Sequence, residues 1–148
     1  MKTLAVSWLA LLCCCTGPCL AFELVSQQEM HASMAAPEPL RAKAGLNPGA
    51  PVIEVLSPKL NAPIASPSRI ELQFQTAGQT AVRPETFKAF YGRLRLDITQ
   101  RLLNATQVTA QGITVKEASL PKGSHRLLLS IEDTEGRLGQ KTIEFEVN

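Results

Sequence analysis

Met30, His31 and Met34 bring two thioethers and an imidazole into five consecutive positions, a ligand set that suits a soft monovalent copper ion. Three ligands on one short stretch make a poorly preorganised site, so solvated side chains are the plainer reading. His125 follows Ser124, yet a nucleophilic serine needs a base, an orienting acid and an oxyanion site that converge in space, which adjacency does not supply. A histidine that packs or hydrogen-bonds locally at the start of a strand is simpler. Glu132, Asp133 and Glu135 put carboxylates beside Gly136 without the alternating Asp/Asn ligands of a helix-loop-helix calcium site. They read as a solvated acidic turn, and no cleft pairs them as acid and base for glycoside hydrolysis. Arg93, Arg95 and Arg101 form a local basic group, and guanidinium forks suit an acidic partner or an anionic glycan. Asn104-Ala105-Thr106 matches the N-glycosylation acceptor pattern.

The elements that must carry these residues show in the hydropathy pattern. Ile53/Val55, Ile70/Leu72/Phe74, Ile113/Val115, Leu127/Leu129/Ile131 and Ile143/Phe145/Val147 each recur at every second position. That period places the apolar set on one face, as in half-buried antiparallel strands. Ser57-Pro58, Ser66-Pro67, Gln111-Gly112, Pro121-Lys122-Gly123 and Glu135-Gly136 separate the runs, and short strands at that spacing predict a sandwich or small barrel. Phe87 to Leu102 fits both periods; Gly92 disfavours a helix interior, so the expectation is strand, turn, strand, then a helical turn near Gln100–Asn104. Arg93 and Arg95 would then share the polar face of the second strand.

Ahead of this lies Met1-Lys2-Thr3 and the apolar run Leu4–Cys15, closed by Thr16-Gly17-Pro18. Charge, length and the small residues Cys19 and Ala21 match a signal peptide cleaved after Ala21. All four cysteines fall inside it, so a chain beginning at Phe22 has no disulfide, thiolate metal site or thiol nucleophile and relies on its core. Residues 22–50 carry Ala35-Ala36-Pro37-Glu38-Pro39 and Asn47-Pro48-Gly49-Ala50 and read as a mobile arm, with a short helix within Glu23–Met34. The expected division is 1–21 leader, 22–50 Pro/Ala-rich arm and 51–148 folded domain. A net charge of +2 argues against a nucleic-acid binder, and no span would remain in a membrane once the leader is removed.

Phe87-Lys88-Ala89-Phe90-Tyr91-Gly92 with Leu96-Asp97-Ile98-Thr99, and Leu120–Leu127 through Asp133-Thr134-Glu135-Gly136 to Ile143–Val147, resemble the strand-turn step and final hairpin of bacterial immunoglobulin-like domains. Pro51–Pro58 resembles their first strand. The resemblance covers residues 51–148 and implies an all-β, antiparallel sandwich of about seven strands. The cysteine pair and core tryptophan of antibody domains are missing. It further implies an exported, periplasmic or secreted, non-enzymatic module without cofactor, engaging protein or glycan in the cell envelope through the arm or an open strand edge. Met30, His31 and Met34 carry the alternative of copper handling, and Arg93, Arg95 and Arg101 the candidate partner contacts.

Overall fold

A computed structural model describes residues 22–40 and 47–148; the expected leader and residues 41–46 lie outside the described residues. The chain forms β1 (Phe22–Glu23), α1 (Gln27–Ala35), β2 (Val52–Ser57), β3 (Ser68–Gln75), β4 (Val82–Tyr91), β5 (Leu96–Asp97), α2 (Thr99–Ala105), β6 (Gly112–Ser119), β7 (Gly123–Asp133) and β8 (Leu138–Val147). One sheet runs β1-β6-β3-β2 and the other β5-β4-β7-β8. All pairings are antiparallel except β1 with β6. The all-β sandwich expected from the alternation is what forms, and Ile53, Leu72, Phe74, Ile113, Val115, Leu127, Leu129, Ile131 and Ile143 meet in one buried core.

Local chemistry explains where the strands bend and stop. Pro84 sits where the β4–β7 register shifts between Arg83 and Lys88, a bulge where its missing amide breaks no ladder bond. The Thr86 hydroxyl, itself bonded to the Arg83 carbonyl, accepts the Glu132 amide there at 2.9 Å. Strand β4 ends at Gly92, whose φ of +66° is costly for a side chain but free for glycine. The expected strand, turn, strand and helix follow in that order. The second strand, however, is only Leu96–Asp97, and residues 92–95 are turn. Arg93 and Arg95 therefore lie on a turn, and Arg95 itself has a φ of 50°.

Residues 22–35 depart from the loose arm the composition suggested. Pro and Gly are confined to the stretch after Ala36; before it stand Leu24, Val25 and Met30, whose burial outweighs the freedom lost on ordering. Leu24 and Val25 are fully buried, Met30 is 6% exposed, and all three belong to the same core as the strands. Among the described residues, Leu24, Val25 and Met30 thus share one core with the strands that follow Pro51.

The open edges of the sheets are managed differently. At β6 the Thr109 amide and hydroxyl bond the Gly112 carbonyl, the Thr106 hydroxyl bonds that of Thr114, and the Leu24 amide bonds that of Ser119. Strand β2 is interrupted by a bulge at Leu56. On β8 the Ile64 amide bonds the Glu146 carbonyl at 2.8 Å, and the alternation of edge groups leaves Gln140, Thr142 and Glu144 facing outward. Lys141, paired with the core residue Leu129, puts a charge on the core-side rim of that edge, a device that discourages strand addition.

Candidate interaction site

At the end of the sandwich where β7 begins, the chain binds its own first segment. Strand β1 extends the first sheet by aligning Phe22 with Ala118 and Glu23 with Ser119. Helix α1 then starts at a full capping box: the Ser26 hydroxyl accepts the Glu29 amide at 3.3 Å, and the Glu29 carboxylate accepts the Ser26 amide at 3.0 Å. This leaves the carboxylate pointing at α2, where Arg101 grips it through both terminal nitrogens at 2.7 and 2.5 Å. The same guanidinium donates to the Leu24 carbonyl at 3.3 Å. Arg101, with help from Ser26, holds the Glu29 carboxyl down to about 2 against the opposing effect of burial.

The other end of α1 is held by the β4–β5 turn. The Arg93 amide donates to Ser33 Oγ at 2.8 Å, and its guanidinium donates to the carbonyls of Met34 and Ala36 at 3.1 and 3.2 Å. Those carbonyls have no partner inside the helix, so Arg93 supplies the missing cap. Close approach depends on glycine twice: a methyl group on Gly92 would collide with Ser33 Oγ, and one on Gly123 would stand 3.3 Å from Met30 Sδ.

Beneath the helix sits His125, 3% exposed. Its Nε2 is 2.8 Å from the Pro121 carbonyl, its Nδ1 2.9 Å from the Tyr91 hydroxyl, and its ring stacks on Phe145 at 5.4 Å between centroids. A carbonyl only accepts, so Nε2 carries the proton and Nδ1 accepts from the Tyr91 hydroxyl. Burial lowers the histidine pKa, opposed by the Pro121 carbonyl, and raises that of Tyr91 to about 12 with the Glu29 charge assisting. Both rings are neutral packing groups at neutral pH. Ser124 has no part in this contact, in keeping with the local reading of His125.

The remaining candidates fall apart or find other uses. Met30, His31 and Met34 all lie on α1, where Met30 is buried, His31 is exposed and Met34 is 52% exposed. Among the described residues, no group of three His, Cys, Asp or Glu side chains is placed to hold a metal. Of the three arginines, Arg93 and Arg101 hold the arm, and Arg95 is exposed. Asp133 corrects the expectation of a solvated turn, being fully buried. Its Oδ1 accepts the amides of Glu135 and Arg137 at 2.9 Å each, and its Oδ2 accepts Arg137 Nε at 2.7 Å. Burial works to raise the Asp133 pKa, but these donors prevail and hold it below the ordinary carboxylate value. Both oxygens of Asp133 are thus engaged within its own turn. Asn104 is exposed at the end of α2.

Alongside α1 an open groove of about 610 Å3 runs between Met34, Glu38 and the β7–β8 hairpin. Arg126 stands in it between Glu38 at 3.0 Å and Glu144 at 3.4 Å, a second and more exposed attachment of the arm. Sequence reasoning found Arg93 and Arg101 as a basic group but missed Glu29, whose only local signal was the Ser26-x-x-Glu29 capping box. Among the described residues no helix is long and apolar enough to cross a membrane. No family model, curated protein or solved structure matches the chain.

Proposed function

We propose that the protein is an exported, non-enzymatic, immunoglobulin-like module that binds protein in the cell envelope, with the end of the sandwich around Arg93, Gly92, Arg101 and Gly123 as its peptide-reading surface. The observation that carries this reading is the arm itself. A two-residue strand and a nine-residue helix are held there by strand addition, two apolar anchors and a two-pronged Arg–carboxylate pair. These are the devices by which folded domains recognise short segments. A cleft so equipped favours protein over glycan as the class of partner. The export reading rests on the leader-like residues 1–21, and the immunoglobulin-like reading on the resemblance over residues 51–148.

The test is a crosslinking pull-down from the native envelope with the chain from Phe22 to Asn148 and its Arg101→Glu variant, in which the arm is repelled. Removing residues 22–50 would strip Leu24, Val25 and Met30 from the core, so the variant replaces truncation. A specific envelope protein enriched on either chain and competed by soluble domain supports the reading. Enrichment of none over an unrelated sandwich of equal charge overturns it.

A further inference from the structure

We propose that the turn between β4 and β5 is a membrane-docking tip, which lowers Leu94 and Leu96 into an anionic lipid surface while Arg95 meets the headgroups. This goes beyond the peptide reading of the end cleft and does not depend on it. The turn is built outward. The Arg95 amide closes on the Gly92 carbonyl at 3.3 Å, which leaves Leu94 at the bend, 58% exposed, with Leu96 after it 36% exposed. Met34, whose carbonyl Arg93 holds at 3.1 Å, adds a third apolar side chain beside the turn, 52% exposed. Arg95 takes a φ of 50° and is the one non-glycine residue with a positive φ among the described residues, a conformation that disfavours a side chain. Apolar exposure and backbone cost thus fall on the same few residues, and no contact of their side chains with the core offsets either.

Charge names the occupant. Arg95 is exposed and forms no ion pair among the described residues. Arg93 is a second cation at the base of the turn, and the nearest carboxylate along the chain, Asp97, accepts the Thr99 amide at 2.8 Å. Arg93-Leu94-Arg95-Leu96 therefore alternates cation and leucine, the pairing an anionic bilayer takes up, with apolar side chains below the headgroups and guanidinium groups at the phosphates. An acidic protein would meet the same charges, but a stable protein interface covers about 800 Å2 on each partner, more than a turn of this size offers. A lipid surface asks only for a few anchors. The placement agrees with this. Strand β1 enters at Phe22 and pairs with the last residues of β6, at the end of the sandwich that carries this turn. The leader-like residues 1–21 come immediately before it in the sequence.

Vesicle flotation tests the proposal with the chain from Phe22 to Asn148. One set of vesicles holds phosphatidylglycerol and phosphatidylcholine in equal parts, the other phosphatidylcholine alone. Binding is expected to the mixed vesicles and not to the neutral ones. Leu94→Ser is expected to weaken it about tenfold, the loss of one inserted leucine, and Arg95→Ser about fivefold, the loss of one cation at a charged surface. Both side chains are exposed, so the melting midpoints are expected to stay at the wild-type value. Lys116→Ser removes an exposed charge from β6, in the other sheet, and is expected to leave binding unchanged. Failure to bind the mixed vesicles overturns the proposal. Equal losses for Lys116→Ser and Arg95→Ser also overturn it, because net charge alone would then explain the binding. Binding that survives Leu94→Ser undiminished does the same, since no apolar side chain would be seated. Capture of an envelope protein that Leu94→Ser abolishes, without any vesicle binding, would assign the turn to a protein partner instead.

Discussion

The two ends of the sandwich are closed by the same chemistry arranged in two ways. At one end, Asp133 and Arg137 are four positions apart, and the carboxylate is satisfied by its own turn. At the other, Glu29 and Arg101 are 72 positions apart, and their pair joins the first helix to the second. A local pair fixes a turn and reports on that turn alone. A distant pair records whether two parts of the chain have come together, and can be broken without unravelling either. Only the second is suited to being made and unmade.

The sharpest way to break this comparison is to treat the arm as dispensable. Leu24→Ala opens a cavity in the common core and is expected to cost about 3 kcal/mol in denaturant unfolding; a change below about 0.5 kcal/mol would mean that the arm end contributes nothing the Asp133 end does not. Asp133→Ala is expected to lower the melting midpoint by less than Leu24→Ala but by more than Glu29→Gln, because it leaves the Arg137 guanidinium without its buried partner.

Glu29→Gln is expected to cost about 1 kcal/mol, the modest value reflecting a guanidinium partly open to water. It also carries a pH signature. A carboxylate held down to about 2 contributes stability that is complete above its ordinary value near 4.5 and is lost as pH falls toward 2. Glu29→Gln should flatten the acid limb of the stability curve across that window, and an unchanged limb would reassign it to Asp133. His125 acts with the opposite charge. Its lowered pKa means that the unfolded chain takes up a proton the folded one refuses. Stability is therefore untouched above about 6.5 and declines as pH drops below it. His125→Gln is expected to remove that decline, read by thermal unfolding at pH 7 and pH 5. The smallest effect on stability, within about 0.5 kcal/mol, is expected for Lys141→Val. Its consequence is intermolecular: light scattering should show association through the unguarded β8 edge, and unaltered scattering would remove Lys141 from that role.

The strands were legible because their information is local. Alternation at Ile70-Leu72-Phe74, Leu127-Leu129-Ile131 and Ile143-Phe145-Val147 needs only neighbouring residues, and Gly92 marks its own turn. The helical turn expected near Gln100–Asn104 is α2, Thr99–Ala105. What escaped was whatever depends on distant partners. Pro and Gly after Ala36 made the arm, its short helix included, read as mobile, although Leu24 and Val25 need only a groove built far downstream in the chain. Asp133 looked solvated because a carboxylate in an acidic turn usually is; its burial follows from three donors that converge once the hairpin closes. Arg93 and Arg101 were marked for a partner by charge alone, and the partner they hold is the chain's own arm.

Strand β1 is parallel to β6 and aligned with its last residues, Ala118 and Ser119. The side chains that hydrogen-bond the arm, those of Arg93, Arg101 and Arg126, lie 57 to 88 residues downstream of their partners in it. The part of the domain synthesised first is consequently the part that can settle last. Through most of its assembly the protein presents Leu24 and Val25 to whatever surrounds it, a period of apolar exposure dictated by chain order.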